Sequence, residues 1–458
     1  MTTTTPATSA TPPTPEQPES VRNEQVLSRE LSSVQQTMMA IGGAIGTGLF
    51  LLTGFGVSVA GPSLIVSYVI AAGITLLLGR ALAKMAVAHP TAGAFGVYAD
   101  LYVSPFAGYA VRVSYWMMEV IATGGHLVAS ATYMQFWFPQ VPGVVWVLAF
   151  AAVLLYFNSR AVGRLGAIEY WLAMLKVAAV ALFVVLGVLF VFGGTGKPAI
   201  GTRNLLGDGF APFGISGIWL GCCFAIYSFI GVEIVGVTSG EAADPARTIP
   251  AATRRLVSGL SAIYIIPVVL LTTLVPWREL GHDQSPFVTA LVQLGVPAAA
   301  GVMNFVVLSA ALSSANANLY LMTRTLFSLA RAGFVPAGLG AVTRRGTPVH
   351  ALLVSGLGLG AAVLVKALWS DTAYQWLVAV SLFGALFVWM MIFITHIAFH
   401  AKSRRAGTPL ASYLGAAAIL ALLITTWWVP GLEPTLISAA PWLALLAIGY
   451  LASRRRRG

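Results

Sequence analysis

Several ionisable side chains of this chain stand in runs too apolar for water. Lys176 lies in Trp171-Leu172-Ala173-Met174-Leu175-Lys176-Val177, and Glu233 follows Gly231 by two residues. Arg112, Glu119 and His126 recur every seventh position of another run, a spacing that places them on one helical face. Charge inside hydrocarbon is expensive, so such groups turn toward the interior of a helix bundle and mark ion or proton routes. Glu233 is therefore expected to face the protein interior. Lys176 stands about ten residues from Gly166, the start of its run, too deep to snorkel to the membrane surface. Its ammonium must pair or release its proton, which makes it a candidate proton carrier or an obligate cation of a coupling site. A fixed cation bonded to the carbonyls of a broken helix is the alternative. The stripe Arg112, Glu119, His126 reads as cavity-lining, with a static polar network as its alternative. Tyr227, Ser313, Ser314, Asn316, Asn318, Trp389 and His396 also interrupt apolar runs, and each alone reads as a helix-packing contact.

The elements that must hold these groups announce themselves through glycine. Met39 to Phe50 is apolar yet carries Gly42, Gly43, Gly46 and Gly48. Glycine costs a helix roughly 1 kcal/mol per residue against alanine. Two readings compete. Either the helix breaks, which is tolerated at membrane depth only inside protein or beside a water-filled cavity, or the glycines let neighbouring helices approach closely. A break would free main-chain N–H groups from about Gly46 to Leu49, suited to an anion such as a carboxylate. The run Cys222 to Ile234 carries a second interruption at Gly231, beside Glu233, and ends in Gly240-Glu241-Ala242-Ala243-Asp244-Pro245. Matched interruptions in two halves of a chain point to a transport site between inverted repeats, and the second one favours the broken-helix reading.

Composition sets the class. Of 458 residues, 58% are hydrophobic and 9% charged, against about 25% charged in soluble domains. The apolar runs are continuous rather than alternating, which excludes a β-barrel. An all-α polytopic membrane protein with the lipid bilayer as its surroundings is expected. Cys222 and Cys223 are adjacent within an apolar run, so neither a disulfide framework nor a metal site is expected. Residues 1–34 form a Thr-, Pro- and Ser-rich cytoplasmic tail, expected to be disordered and without a signal-peptide core.

Windows of about 20 apolar residues place roughly twelve spans, near 37–60, 62–83, 105–136, 143–158, 166–193, 214–240, 256–276, 298–331, 349–369, 373–399, 411–429 and 436–452. Residues 285–297 read as a short external or re-entrant segment. On this layout twenty of the 26 lysines and arginines fall on one side of the membrane. Only Lys197, Arg203, Arg278 and Lys366 fall on the other, with Arg112 and Lys176 inside spans. The positive-inside rule then puts both termini in the cytoplasm and explains the net charge of +11 without nucleic acid. No Walker pattern, GxSxG elbow or HExxH pair is present, so neither an enzyme nor an ATP-driven pump is expected, and no cofactor.

Several segments resemble amino acid permeases of the amino acid–polyamine–organocation superfamily, of the bacterial amino acid transporter type. Gly46-Thr47-Gly48-Leu49-Phe50 is similar to their first-helix motif, followed by Ala60-Gly61-Pro62-Ser63. Leu82 to Phe95 resembles the loop after the second helix, and Tyr133 to Pro139 the end of the third. Phe229 to Pro250 resembles the sixth-helix signature. The resemblance covers about residues 34 to 400. It implies a five-plus-five inverted-repeat core over 35–400, with discontinuous first and sixth helices, and two added helices in 401–458. By resemblance, the backbone of Gly46, Thr47 and Gly48 would hold a substrate carboxylate. Carbonyls around Ser228, Phe229, Ile230 and Gly231 would hold its amino group, with His126 in the binding site. Lys176 matches a lysine linked to proton coupling, and Ser313 and Ser314 fall where sodium-coupled relatives place cation ligands. Lys84 and His126 stand at positions that are glutamate in several members. The function this implies is uptake of a small-molecule amino acid across the plasma membrane, the inner membrane of a bacterium, by proton symport with alternating access. Lys176 and Glu233 would serve the coupling. An uncoupled exchanger or facilitator is the first alternative, and a transporter-like amino acid sensor the second.

Overall fold

The computed structural model describes residues 44–91, 93–160, 162–237, 239, 245–281, 285–343, 348–369, 372–403 and 407–457. The expected tail, Gly42, Gly43 and the stretch Gly240 to Asp244 lie outside them. Among the described residues all regular structure is helical. That follows from the solvent, because in lipid each backbone N–H and C=O must find its partner within its own segment.

In chain order the helices that matter here begin with α1 (Thr47–Phe50), α2 (Leu52–Ala60), α3 (Leu64–Ala88), α4 (Ala94–Tyr102) and α5 (Pro105–Gln135). Next come α6 (Gly143–Arg160), α7 (Val162–Phe192), α8 (Arg203–Leu206), α9 (Gly214–Ser228), α10 (Ile234–Val237) and α11 (Pro245–Leu274). The chain closes with α12 (Pro286–Gln293), α13 (Pro297–Arg331), α14 (Val349–Leu368), α15 (Ala373–Lys402), α16 (Leu410–Thr425), α17 (Glu433–Ile437) and α18 (Ala439–Arg457). Eight helices among the described residues are long and apolar enough to cross a membrane, and the apolar α6 and α9 are shorter. Helix α5 is not among the eight despite its 31 residues. Arg112, Glu119 and His126 give it too polar a sequence, although all three are buried.

Helix α5 is the central post, packed against α4, α6, α13, α14, α15 and α18. Its start is well specified: Pro105 occupies the first helical position and Ser104 Oγ accepts from the Ala107 N–H at 3.1 Å. Small residues let its neighbours close in. A Cβ built on Gly124 would stand 2.5 Å from Ala362 Cβ, and one on Gly358 would stand 2.3 Å from Val120 Cγ1. The last helix is tied to the post by Trp442 Nε1, which donates to Ser114 Oγ at 2.9 Å.

Two expectations are corrected. The seventh run begins at Pro245 rather than near 256. Its first turns carry Arg247, Arg254 and Arg255, which an apolar window overlooks, and Pro245 fits a first helical position where no N–H is needed. The second run continues to Ala88 instead of ending near 83. The stretch resembling a loop, Leu82 to Phe95, is thus helix at both ends, since α4 starts at Ala94. The short segment at 285–297, expected to be external or re-entrant, contains the helix α12.

Candidate functional site

The first run is broken twice. Ile45 and Gly46 bend, α1 lasts a single turn, and Leu51 (φ −128°, ψ −48°) separates it from α2. The sixth run stops at Ser228, passes through turns and resumes at Ile234. Within that gap Gly231 has φ +103°, a left-handed conformation that side chains other than glycine rarely adopt. Turn hydrogen bonds from Phe229 N to Ile226 O (3.0 Å) and Val232 N to Phe229 O (3.2 Å) hold the gap in shape.

The two interruptions touch. A Cβ on Gly48 would lie 2.9 Å from Ser228 Cα, and a Cβ on Gly46 would lie 2.6 Å from Ser314 Oγ and 3.3 Å from His126 Cε1. Only glycine fits at either position without moving a neighbour. Ser314 Oγ faces the Ile45 carbonyl at 3.4 Å, and Tyr264 OH donates to the Ala44 carbonyl at 2.7 Å. Side chains thus meet two main-chain carbonyls at the bend, that of Ala44 in addition to the Gly46 N–H at 3.1 Å. Thr47 Oγ1 and His126 Nδ1 share a hydrogen bond of 3.0 Å. On the opposite side Ser228 Oγ, Tyr68 OH and Thr53 Oγ1 form a chain with steps of 3.1 and 3.2 Å.

Beside this contact lies a cavity of about 40 Å³ whose walls include Gly46, Gly48, Glu119, His126, Ser228 and Gly231. Met118, Ala122, Ile234 and Leu321 supply apolar wall, and Tyr227, Asn318 and Ser381 polar wall. Tyr227 and Ser381 hydroxyls bond each other at 3.1 Å. A volume of this size accommodates a water molecule or two and is smaller than an amino acid. Glu119 Oε2 has no hydrogen-bond partner among the described residues. Glu233 Oε2 accepts from the Gly231 N–H at 3.1 Å and from Trp389 Nε1 at 3.3 Å. The carboxylate thereby braces the left-handed turn, and it lies near enough to Glu119 for the two charges to interact.

Such geometry, main chain exposed at two abutting helix breaks with buried carboxylates alongside, suits recognition of a small zwitterion. The amino acid permease family model matches residues 35–457. The chain belongs to that family. The aromatic amino acid transport protein AroP of Escherichia coli (strain K12) is 35% identical over 443 residues, covering 94% of this chain and 97% of the relative. AroP of Salmonella typhimurium (strain LT2) is 34% identical over 447 residues, covering 95% and 98%. An uncharacterized amino acid permease of Bacillus subtilis (strain 168), YtnA, is 32% identical over 443 residues, covering 94% and 96%. The permease is accordingly a multi-pass integral membrane protein that carries amino acids across the membrane, and not an enzyme.

Within the permease, the residues singled out from the sequence distribute unevenly. Gly46, Gly48, His126, Ser228, Ile230 and Gly231 line the cavity, and Thr47 is bound to His126. Phe229 points away, fully buried against Tyr264 in an edge-to-face pair with centroids 5.0 Å apart. Its main chain belongs to the gap, while its ring holds the gap to α11. Ser313 and Lys176 are fully buried but lie outside the cavity walls. Lys176 is near enough to His126 for its charge to be felt there. The polar stripe of α5 divides: Glu119 and His126 reach the cavity, whereas Arg112 packs on Gly96 of α4. Tyr68, Tyr264 and Ser381 are parts of the site that the sequence reading passed over. Their only signal was a hydroxyl within an apolar run, which most packing residues share.

Proposed function

We propose that the permease imports an amino acid by secondary active transport, coupled to protons, through alternating access across the inner membrane of a bacterium with both termini in the cytoplasm. The observation that carries this reading is the abutment of the two broken segments beside a small, partly polar cavity. In it the substrate carboxylate meets the main chain at Gly46, Thr47 and Gly48, and the ammonium meets the gap from Ser228 to Gly231 and the Glu119 carboxylate. Lys176 and Glu233 serve proton coupling, because both are ionisable groups buried beside the site without facing its cavity. The apolar wall of Met118, Ala122, Ile234 and Leu321 supports an apolar side chain in the substrate. With the names of the AroP relatives, this makes phenylalanine, tyrosine and tryptophan the first substrates to try.

Purified permease in proteoliposomes, loaded with labelled amino acids under an imposed inward proton gradient, tests this directly. Accumulation that collapses with the gradient is expected. Counterflow that persists unchanged without the gradient would replace symport with uncoupled exchange, and absence of uptake across the full amino acid panel would reject the assignment.

A further inference from the structure

A second groove, about 520 Å³, opens between α3, α11, α15 and α16 and shares no wall residue with the central cavity. Its walls combine two chemistries. Leu76, Leu77 and Val87 make it apolar, and Arg80, Lys84 and Arg254 bring three exposed cations into it. Among the described residues no aspartate or glutamate lines it. Among the described residues, no ion pair or hydrogen bond engages the side chains of Arg80, Lys84 or Arg254.

Their depth is the second consideration. Leu76 is at the middle of the 25-residue α3. Arg80 and Lys84 follow one and two turns later on the same face, about 6 and 12 Å along the axis. With α3 centred in the bilayer, both lie within the roughly 15 Å half-thickness of the hydrocarbon. Three cations at the edge of hydrocarbon demand an anion, and the groove that holds them offers an apolar trough on its inner side. A free anion would satisfy the first demand and leave the trough unfilled, whereas an acidic peptide would leave main-chain polar groups against Leu76 and Leu77. A molecule with a phosphate at one end and hydrocarbon at the other satisfies both.

We propose that this groove is a binding site for one anionic phospholipid, its phosphate held by Arg80, Lys84 and Arg254 and its acyl chains laid along Leu76 and Leu77. The site is independent of the transport reading: it requires only a membrane-embedded helix bundle.

The test is native mass spectrometry of the full-length permease in detergent, titrated with dioleoyl phosphatidylglycerol or dioleoyl phosphatidylcholine. The wild type is expected to retain one phosphatidylglycerol at concentrations where phosphatidylcholine does not bind. Each basic side chain near a membrane surface contributes about fivefold in anionic-lipid affinity, so the triple variant Arg80→Gln/Lys84→Gln/Arg254→Gln should bind on the order of a hundredfold more weakly. A control removing three cations outside the groove, Arg203→Gln/Arg255→Gln/Arg278→Gln, should stay close to wild type. Equal loss in both triples would show diffuse charge attraction and overturn the site. Competition by glycerol 3-phosphate alone at the same concentration would make it a plain anion site and overturn the lipid. If the triple does not fold, Lys84→Gln and Arg254→Gln are measured singly, and unchanged phosphatidylglycerol retention in both overturns the proposal.

Discussion

Replacing Gly48 with alanine probes the contact on which the site is built. The new Cβ would stand 2.9 Å from Ser228 Cα, 3.1 Å from its Oγ and 3.4 Å from its Cβ. Carbon atoms at rest sit about 3.5–4.0 Å apart, so roughly 0.6 Å must open between α1 and the end of α9. The obstructing atom is backbone, and its neighbours on the far side, Tyr68 and Phe229, are fully buried, which leaves little room for yielding. Overpacking of this kind costs about 1–3 kcal/mol, and if the abutment recurs in each transport cycle, that corresponds to a fivefold to 150-fold effect. The expected result is a lower thermal midpoint in detergent together with uptake reduced within that range. Gly46→Val should act in the same direction, because its Cβ would meet Ser314 Oγ at 2.6 Å. The matched control is Gly73→Ala on α3, where an added Cβ meets nothing within 4 Å. It should leave both readouts unchanged or raise the midpoint slightly. A folded Gly48→Ala protein with wild-type uptake and affinity would refute the idea that close approach of the two breaks shapes the binding site.

Three further outcomes are expected. Lys176→Met should abolish accumulation driven by a pH gradient, measured as labelled substrate retained in proteoliposomes, and unchanged pH dependence would remove the lysine from coupling. Glu233→Gln keeps an oxygen to accept from Gly231 N–H and Trp389 Nε1 but loses the charge. It should therefore fold, preserve counterflow and lose gradient-driven uptake, whereas wild-type accumulation would reduce Glu233 to a brace for the turn. Tyr264→Phe strips the Ala44 carbonyl of its 2.7 Å donor. The Gly46 N–H still reaches that carbonyl at 3.1 Å, so the loss is one net hydrogen bond, about 0.5–1.5 kcal/mol. The thermal midpoint should fall slightly, and an unchanged midpoint would mean that the Tyr264 bond adds nothing to the Gly46 one.

The helical class and the positions of most membrane helices could be read from apolar run length alone, because lipid leaves the backbone few choices. The two breaks could be read for a related reason: glycine clustered in an apolar run is a local departure from the composition around it, and at Gly46, Gly48 and Gly231 the structure uses the missing side chain. Helix ends were less legible. The first turns of α11 carry arginines and look like a loop to any hydropathy window, although Pro245 marks a start. Long-range partners could not be read at all. Nothing local to Tyr264 says that its hydroxyl meets Ala44, 220 residues earlier. Nothing at Phe229 says that its ring leaves the cavity, since an aromatic residue in a gap serves a substrate or a neighbouring helix equally well. The regular seven-residue stripe of α5 misled in part for the same reason. Periodicity sets which face a residue occupies, while depth and the neighbouring helix decide what it meets, and Arg112 meets Gly96 rather than the cavity.

The small volume of the cavity connects these observations to a cycle. At about 40 Å³ it cannot receive even a small amino acid, yet its walls are already polar where a carboxylate and an ammonium would sit and apolar where a side chain would lie. On the proposed reading, binding must separate groups that now touch, and the contacts that resist are few and identifiable. Gly48 lies against Ser228, Ser314 against Ile45, and Thr47 against His126. Each joins a broken segment to an intact or separate helix rather than to its own continuation. A zwitterion that replaces these contacts with its own would lower the cost of opening only if it presents both charged ends at once. On the proposed reading, the contacts that narrow the cavity would thus select for an amino acid over either of its halves.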